Sequence, residues 1–128
     1  MTPLHWAAQK GHFDICHLIL KNIQDKNPEN IIGHTPLTLA ARFGHFEVFK
    51  LIFDNVDIEN IRTDNISPMH EAIARQPITY GHSEIFKLIF DNVQDKNPIL
   101  GGLTPLRLAE MLGHTHIVEY INVAFNTY

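Results

Sequence analysis

The chain contains nine histidines and one cysteine, residue types that often bind metals or take part in nucleophilic catalysis. Cys16 has His12 four residues before it and His17 directly after it. A thiolate beside an imidazole can act as a nucleophile, and the same side chains can ligate zinc. His114 and His116 form a second close pair. These residues are the chain's candidates for catalysis or metal binding.

The spacing of the histidines argues against a shared metal ion. Four of them follow a glycine at corresponding points of a repeating pattern: His12, His45, His82 and His114. Helix layers pack about 8 to 10 Å apart, so residues one repeat apart are too distant for a single zinc ion, whose bonds to imidazole are about 2 Å long. We therefore expect no metal centre and interpret these histidines as residues that order the turn between two helices.

Catalytic chemistry is also disfavoured. Cys16 occupies the same repeat position as Phe49 and Phe86 on an apolar helix face, which is typical of a core residue. The sequence has no glycine-rich phosphate loop, no Gly-x-Ser-x-Gly and no His-Glu-x-x-His motif. The sequence therefore predicts a protein that is not an enzyme and has no cofactor.

The elements that position these residues follow from a repeated pair of a hydroxyl residue and proline. The pair occurs four times, at intervals of 33, 32 and 37 residues: Thr2-Pro3, Thr35-Pro36, Ser67-Pro68 and Thr104-Pro105. Each pair precedes a short apolar run, a Gly-His pair and a longer apolar run. A period in this range indicates a repeat array. The longest interval is explained by a five-residue insertion, Gln76 to Tyr80, before Gly81.

Each repeat predicts two short helices. A hydroxyl residue at the N-cap with proline next to it favours a helix start, and a glycine such as Gly44 favours its end. His45 then begins a second helix, whose polar side chains form one narrow stripe: Glu47, Lys50 and Asp54. Such helices are too short to be stable alone, so they must stack against neighbours. The predicted fold is an all-α repeat solenoid and a single domain, 1–128.

The segments between units are rich in Asn, Asp, Pro and Gly. Gly33, Asn65 and Gly102 each lie two residues before the next N-cap, and these residue types tolerate positive φ angles. A turn or β-hairpin is predicted at each position. The units then span about 1–33, 34–66, 67–102 and 103–128.

At this level the chain resembles the ankyrin repeat family. The family pattern is nearly complete in the first unit, with Thr2-Pro3-Leu4-His5, Ala7-Ala8 and Gly11-His12, and it recurs along the whole chain. Two units depart from it, because Thr38 and Arg107 replace the motif's histidine. The resemblance implies a concave surface of first helices, projecting linker tips, and a non-enzymatic protein-protein interaction module. The alternative is a substrate-recruiting or regulatory segment of a larger enzyme, channel or ubiquitin-ligase adaptor.

The resemblance also implies which side chains would contact a partner. They are the variable residues of the first helices and of the linker tips: Trp6, Lys10, Ile31, Ile32, Leu39, Arg42, Phe43, Thr63, Glu71, Arg75, Leu100 and Leu108. Several are apolar, and we expect them to form a partly exposed patch flanked by basic residues. Exposed apolar patches are typical of interaction sites, and Trp and Arg are enriched at binding hot spots.

Composition excludes other partners. The net charge of −4 gives no basic surface for nucleic acid. Charged residues interrupt every apolar run well short of the ~20 residues that cross a membrane. The lone Cys16 favours a reducing compartment, so we expect a cytoplasmic or nuclear protein, and a monomer. Because the first unit begins directly at its helix cap, we also expect the chain to be cut from a longer array.

Overall fold

The computed structural model describes residues 1–56 and 67–125. These residues form eight α-helices and no β-strand. In chain order the helices are α1 (Pro3–Lys10), α2 (Phe13–Leu20), α3 (Pro36–Phe43), α4 (Phe46–Phe53), α5 (Pro68–Ile73), α6 (Tyr80–Asn92), α7 (Pro105–Leu112) and α8 (Thr115–Phe125). They alternate between short first helices (α1, α3, α5 and α7) and second helices (α2, α4, α6 and α8).

Most first helices begin and end where the sequence predicts. Thr2, Thr35 and Thr104 are N-caps whose hydroxyls accept hydrogen bonds from the backbone N–H three residues later. The substitution of histidine by Thr38 preserves this cap, because the Thr35 N–H donates to the Thr38 hydroxyl at 2.8 Å. Ser67 is also an N-cap, but its side chain makes no capping hydrogen bond.

Glycine closes three of the first helices. Gly11, Gly44 and Gly113 adopt left-handed conformations, with φ of 76°, 75° and 75°, directly after α1, α3 and α7. A side chain at such a φ angle would be strained, which explains the preference for glycine. The predicted helix ends are confirmed at these three positions.

The third helix pair differs from the prediction. Helix α5 ends at Ile73, and α6 begins after a new N-cap, Thr79, so Gly81 lies inside α6 and does not close a helix. The reason is local: Thr79 and His82 form the same reciprocal cap as Thr2 and His5. The insertion therefore lengthens α6 as well as the turn that precedes it.

The two kinds of helix form two layers. In the first layer α1 packs against α3, α3 against α5, and α5 against α7; in the second, α2 packs against α4, and α4 against α6. Between the layers lies one core that includes Ala8, Ala41, Phe49, Phe86 and Ile117. Small residues on the first helices and large ones on the second allow close packing. The architecture is an all-α repeat solenoid.

The described linkers are turns. Gly33 and Gly102 have positive φ angles of 105° and 79°, as predicted, whereas Asn65 lies outside the described residues. Leu100 and Leu103 form a single antiparallel bridge. The predicted hairpin does not extend into paired strands there, because Thr104 already caps α7.

Candidate functional site

The first-helix face is the surface formed by exposed side chains of α1, α3, α5, α7 and the residues that directly follow them. Trp6 is 52% exposed. Lys10 and Arg42 are exposed, and Phe43 lies at the margin of exposure. Four of the predicted contact residues thus share one face of the array and are accessible to a partner.

The centre of this face lies where the second unit meets the third. The Arg75 guanidinium stacks over the Phe43 ring, 4.7 Å from its centroid. Beside this pair is a cleft of about 240 Å³, lined by Arg42, Phe43, Arg75, Gln76, Pro77 and His82. Glu71 is half-buried, and burial raises its pKa while Arg42 and Arg75 act to lower it.

Two predicted apolar contact residues of the first helices are less accessible than expected. Leu39 is only 5% exposed, so the prediction that it belongs to an exposed patch is wrong. It lies on α3, which is covered on one side by α1 and on the other by α5. Leu108 is half-buried and packs against the hydrophobic core.

The first linker tip projects two apolar side chains into solvent. Ile31 is fully exposed and Ile32 is also exposed. Asn30 orders this tip, because its side-chain oxygen accepts hydrogen bonds from the backbone N–H groups of Ile32, Gly33 and His34 at 3.0 to 3.1 Å. Ile31 and Ile32 are therefore displayed on a defined turn.

The other tips contribute less. Leu100 is half-buried, and its backbone is tied to Leu103. Thr63 lies outside the described residues.

The Gly-His histidines connect adjacent helix pairs. The Nε2–H group of His45 donates to the Gln9 carbonyl at 2.9 Å, that of His82 to the Arg42 carbonyl at 2.8 Å, and that of His114 to the Ile73 carbonyl at 2.9 Å. Each acceptor lies in or at the end of the first helix of the preceding unit. The sequence predicts that these histidines order the turn between two helices, and the structure shows that they also form hydrogen bonds between units.

The Thr-Pro-x-His histidines connect units in the opposite direction. The Nε2–H group of His5 donates to the His34 carbonyl at 3.0 Å, and that of His70 to the Leu103 carbonyl at 2.8 Å. Burial lowers the pKa of His5, His34 and His82, so these rings are held neutral. In residues 1–56 and 67–125, no three His, Cys, Asp or Glu side chains come together in a way that could hold a metal ion.

Cys16 is a core residue. Its side chain is fully buried, and burial raises the pKa of the thiol to about 11. His17, its neighbour in sequence, is exposed and stacks on the Phe13 ring. A buried, protonated thiol is a poor nucleophile, so the arrangement favours packing over catalysis.

Sequence reasoning missed two lysines that close second helices. The Lys26 ammonium donates to the carbonyls of Leu20 and Ile23, and the Lys96 ammonium to those of Phe90 and Val93. The signal was a duplicated segment, Gln-Asp-Lys-Asn-Pro, at positions 24–28 and 94–98. Cations at helix C-termini satisfy carbonyls that have no partner within the helix.

An apolar groove of about 490 Å³, larger than the cleft at Arg42 and Arg75, lies on the first helix pair. It is beside Pro3, Leu4, Leu18 and Ile19. It belongs to the outer side of the first helix pair. The equivalent sides of the later pairs are covered by the pair before them, so this groove corresponds to an uncovered stacking surface.

The comparison with protein families agrees with the architecture. A family model described as ankyrin repeats (3 copies) matches residues 1–64. This chain belongs to the ankyrin repeat family. No curated protein matches it. Ankyrin repeats are in general protein-protein interaction modules and are typically not catalytic. No helix in the described part of the chain is long and apolar enough to cross a membrane.

Proposed function

We propose that this chain is a non-enzymatic protein interaction module that binds a protein partner on its first-helix face and on its first linker tip. The observation that carries the proposal is a group of exposed apolar and cationic side chains on one face, Trp6, Lys10, Arg42 and Phe43, with the half-buried Arg75 beside them. Large aromatic and arginine side chains contribute most to protein binding. Glu71, Ile31, Ile32, Thr63, Leu100 and Leu108 are proposed as peripheral contacts.

The described residues support binding over catalysis. Cys16 is buried, and the rings of His45, His82 and His114 are hydrogen-bonded to backbone carbonyls of neighbouring units. The backbone beneath Arg42 is fixed by the His82 ring, so the exposed side chains start from a rigid frame. Rigid presentation lowers the entropy cost of association. The module is proposed to act as a monomer inside the cell, where its free cysteine stays reduced.

The experiment is affinity capture from a lysate of cells that express the protein, followed by direct binding of each captured protein to purified variants. We expect the Trp6→Ala/Phe43→Ala double variant to bind at least about tenfold more weakly, because hot-spot residues carry about 2 kcal/mol or more. Phe13→Ala is the matched control, since Phe13 is an exposed aromatic residue on the second-helix layer. If the folded double variant bound the partner as tightly as the folded Phe13→Ala variant, the proposed site would be refuted.

A further inference from the structure

The charges of the two helix layers differ in sign. The first helices, extended to the residue before each turn (3–10, 36–43, 68–75 and 105–112), carry four basic and two acidic side chains, a net charge of +2. The second helices carry two basic and five acidic side chains, a net charge of −3. The whole chain has a net charge of −4. The first-helix face is therefore the cationic side of an acidic protein.

Two of these cations lie at the cleft between the second and third units. Neither Arg42 nor Arg75 is within 4 Å of a carboxylate in the described part of the chain, where the ion pairs are Lys50–Asp54 and Lys87–Glu84. Arg75 is positioned by the Phe43 ring, so its guanidinium is oriented without neutralising its charge. Glu71, the nearby acid, has a raised pKa because it is buried.

The walls of the cleft are fixed by bonds to other units. The His82 ring donates a hydrogen bond to the Arg42 carbonyl of the second unit. The Gln76 side-chain amide donates one to the carbonyl of Leu112 on the fourth unit. Phe43 and Pro77 supply apolar surface beside the two guanidinium groups. The cleft thus combines two cations with an aromatic and an aliphatic wall, and it is held in shape by three units.

We propose that the partner presents an acidic peptide segment, in which an Asp or Glu side chain lies next to an apolar one, and that this segment seats in the cleft. The carboxylate is bound by Arg42 and Arg75, and the apolar side chain packs on Phe43 and Pro77. Arginine binds carboxylates through paired, charge-assisted hydrogen bonds. The net positive charge of the first-helix layer also attracts an acidic segment as the two molecules approach each other. This inference rests on the proposed function and adds the chemistry of the ligand.

The test uses the full chain and a display library of random linear peptides as the probe. We expect the enriched peptides to contain Asp or Glu beside an apolar residue. Their Kd should rise at least about tenfold in Arg42→Gln and in Arg75→Gln, because each variant removes a charge-assisted hydrogen bond. The Kd should also rise with added salt, because ions screen the attraction between the charges. Arg107→Gln is the matched control, since Arg107 is an exposed arginine on α7 that does not line the cleft.

The contradictory outcomes are distinct. Neutral or basic peptides that bind the chain and lose affinity in Trp6→Ala/Phe43→Ala would overturn the acidic specificity while leaving the proposed function intact. Peptides whose binding is unchanged by that double variant and by the two arginine variants would overturn both. A selection that enriches no peptide would also overturn the inference. The melting temperature of each variant shows that the fold is retained.

Discussion

The outer side of α2 and the corresponding sides of α4, α6 and α8 carry the same apolar pattern but differ in burial. Ile15 is 50% exposed, whereas its equivalents Val48, Ile85 and Ile117 are 1%, 0% and 1% exposed. Leu18 is exposed, while Leu51 at the same repeat position is half-buried. The difference shows that the apolar side of each helix pair is covered by the neighbouring pair. A single pair cannot cover its own apolar side chains.

The largest expected effect on stability comes from shortening the same apolar side chain at two places. At one it is covered by a neighbouring helix pair, and at the other it is exposed. Ile85→Ala should lower the free energy of unfolding by about 2 to 5 kcal/mol, because it leaves a cavity between stacked pairs. Ile15→Ala should lower it by about 1 kcal/mol or less, since half of Ile15 is already in water. Urea denaturation measures both. Equal losses would contradict the comparison.

Glycine substitutions sharpen the comparison at the contact between units. A Cβ atom at Gly81 would lie 2.1 Å from the Gly44 carbonyl oxygen, although the helical backbone itself accepts alanine. Gly81→Ala should therefore cost about 2 kcal/mol by overpacking, whereas helix propensity alone predicts a gain of about 1 kcal/mol.

Gly113→Ala is the control for that variant. A Cβ atom there meets nothing within 4 Å, so only the positive φ angle of 75° opposes the substitution. We expect a loss of about 1 kcal/mol in thermal or urea unfolding. A stabilised Gly81→Ala variant would show that the second and third units do not approach each other this closely.

The next largest effect on stability is expected from the histidine hydrogen bonds between units. His45→Ala removes the donor to the Gln9 carbonyl and should cost about 1 to 2 kcal/mol in urea unfolding. His12 is the same residue type at the same repeat position, but it is exposed. His12→Ala should therefore change the free energy of unfolding by about 0.5 kcal/mol or less. Similar values for the two variants would mean that His45 does not stabilise the contact between units.

The smallest expected effect is a dependence of stability on pH. Burial lowers the pKa of His5, His34 and His82 below the ordinary value of 6.5, so the unfolded chain takes up protons first as the pH falls. The contribution of these rings is complete above about pH 6.5 and is lost on acidification below it. Urea titrations between neutral and mildly acidic pH should show this slope, and His82→Gln should reduce it. A flat profile would contradict neutral rings.

Much of the fold could be predicted from the sequence because its signals are local. The Thr-Pro starts and the glycine ends at Gly11, Gly44 and Gly113 depend only on a few neighbouring residues. The repeat pattern alone would place Gly81 directly after a first helix, like Gly44, but a competing local cap, Thr79 with His82, begins α6 before it. Here the repeat pattern and the local chemistry disagree, and the local chemistry determines the helix start.

The site was less predictable, because exposure depends on neighbouring units. Trp6 and Leu39 occupy the same repeat position, yet one is half exposed and the other is buried between α1 and α5. The Arg75–Phe43 pair joins residues more than thirty positions apart, and nothing in either local sequence indicates it. The basic cleft requires the packed array before it can be recognised.

Amide hydrogen exchange in the native state tests the central claim, that each helix pair is stabilised by its neighbours, most directly. The account predicts that amides in α4 and α6, whose pairs are packed against others on both sides, exchange most slowly and with similar opening free energies. Amides of α2, with its uncovered apolar side, should exchange faster. Protection of α2 equal to that of α4 and α6 would contradict the claim.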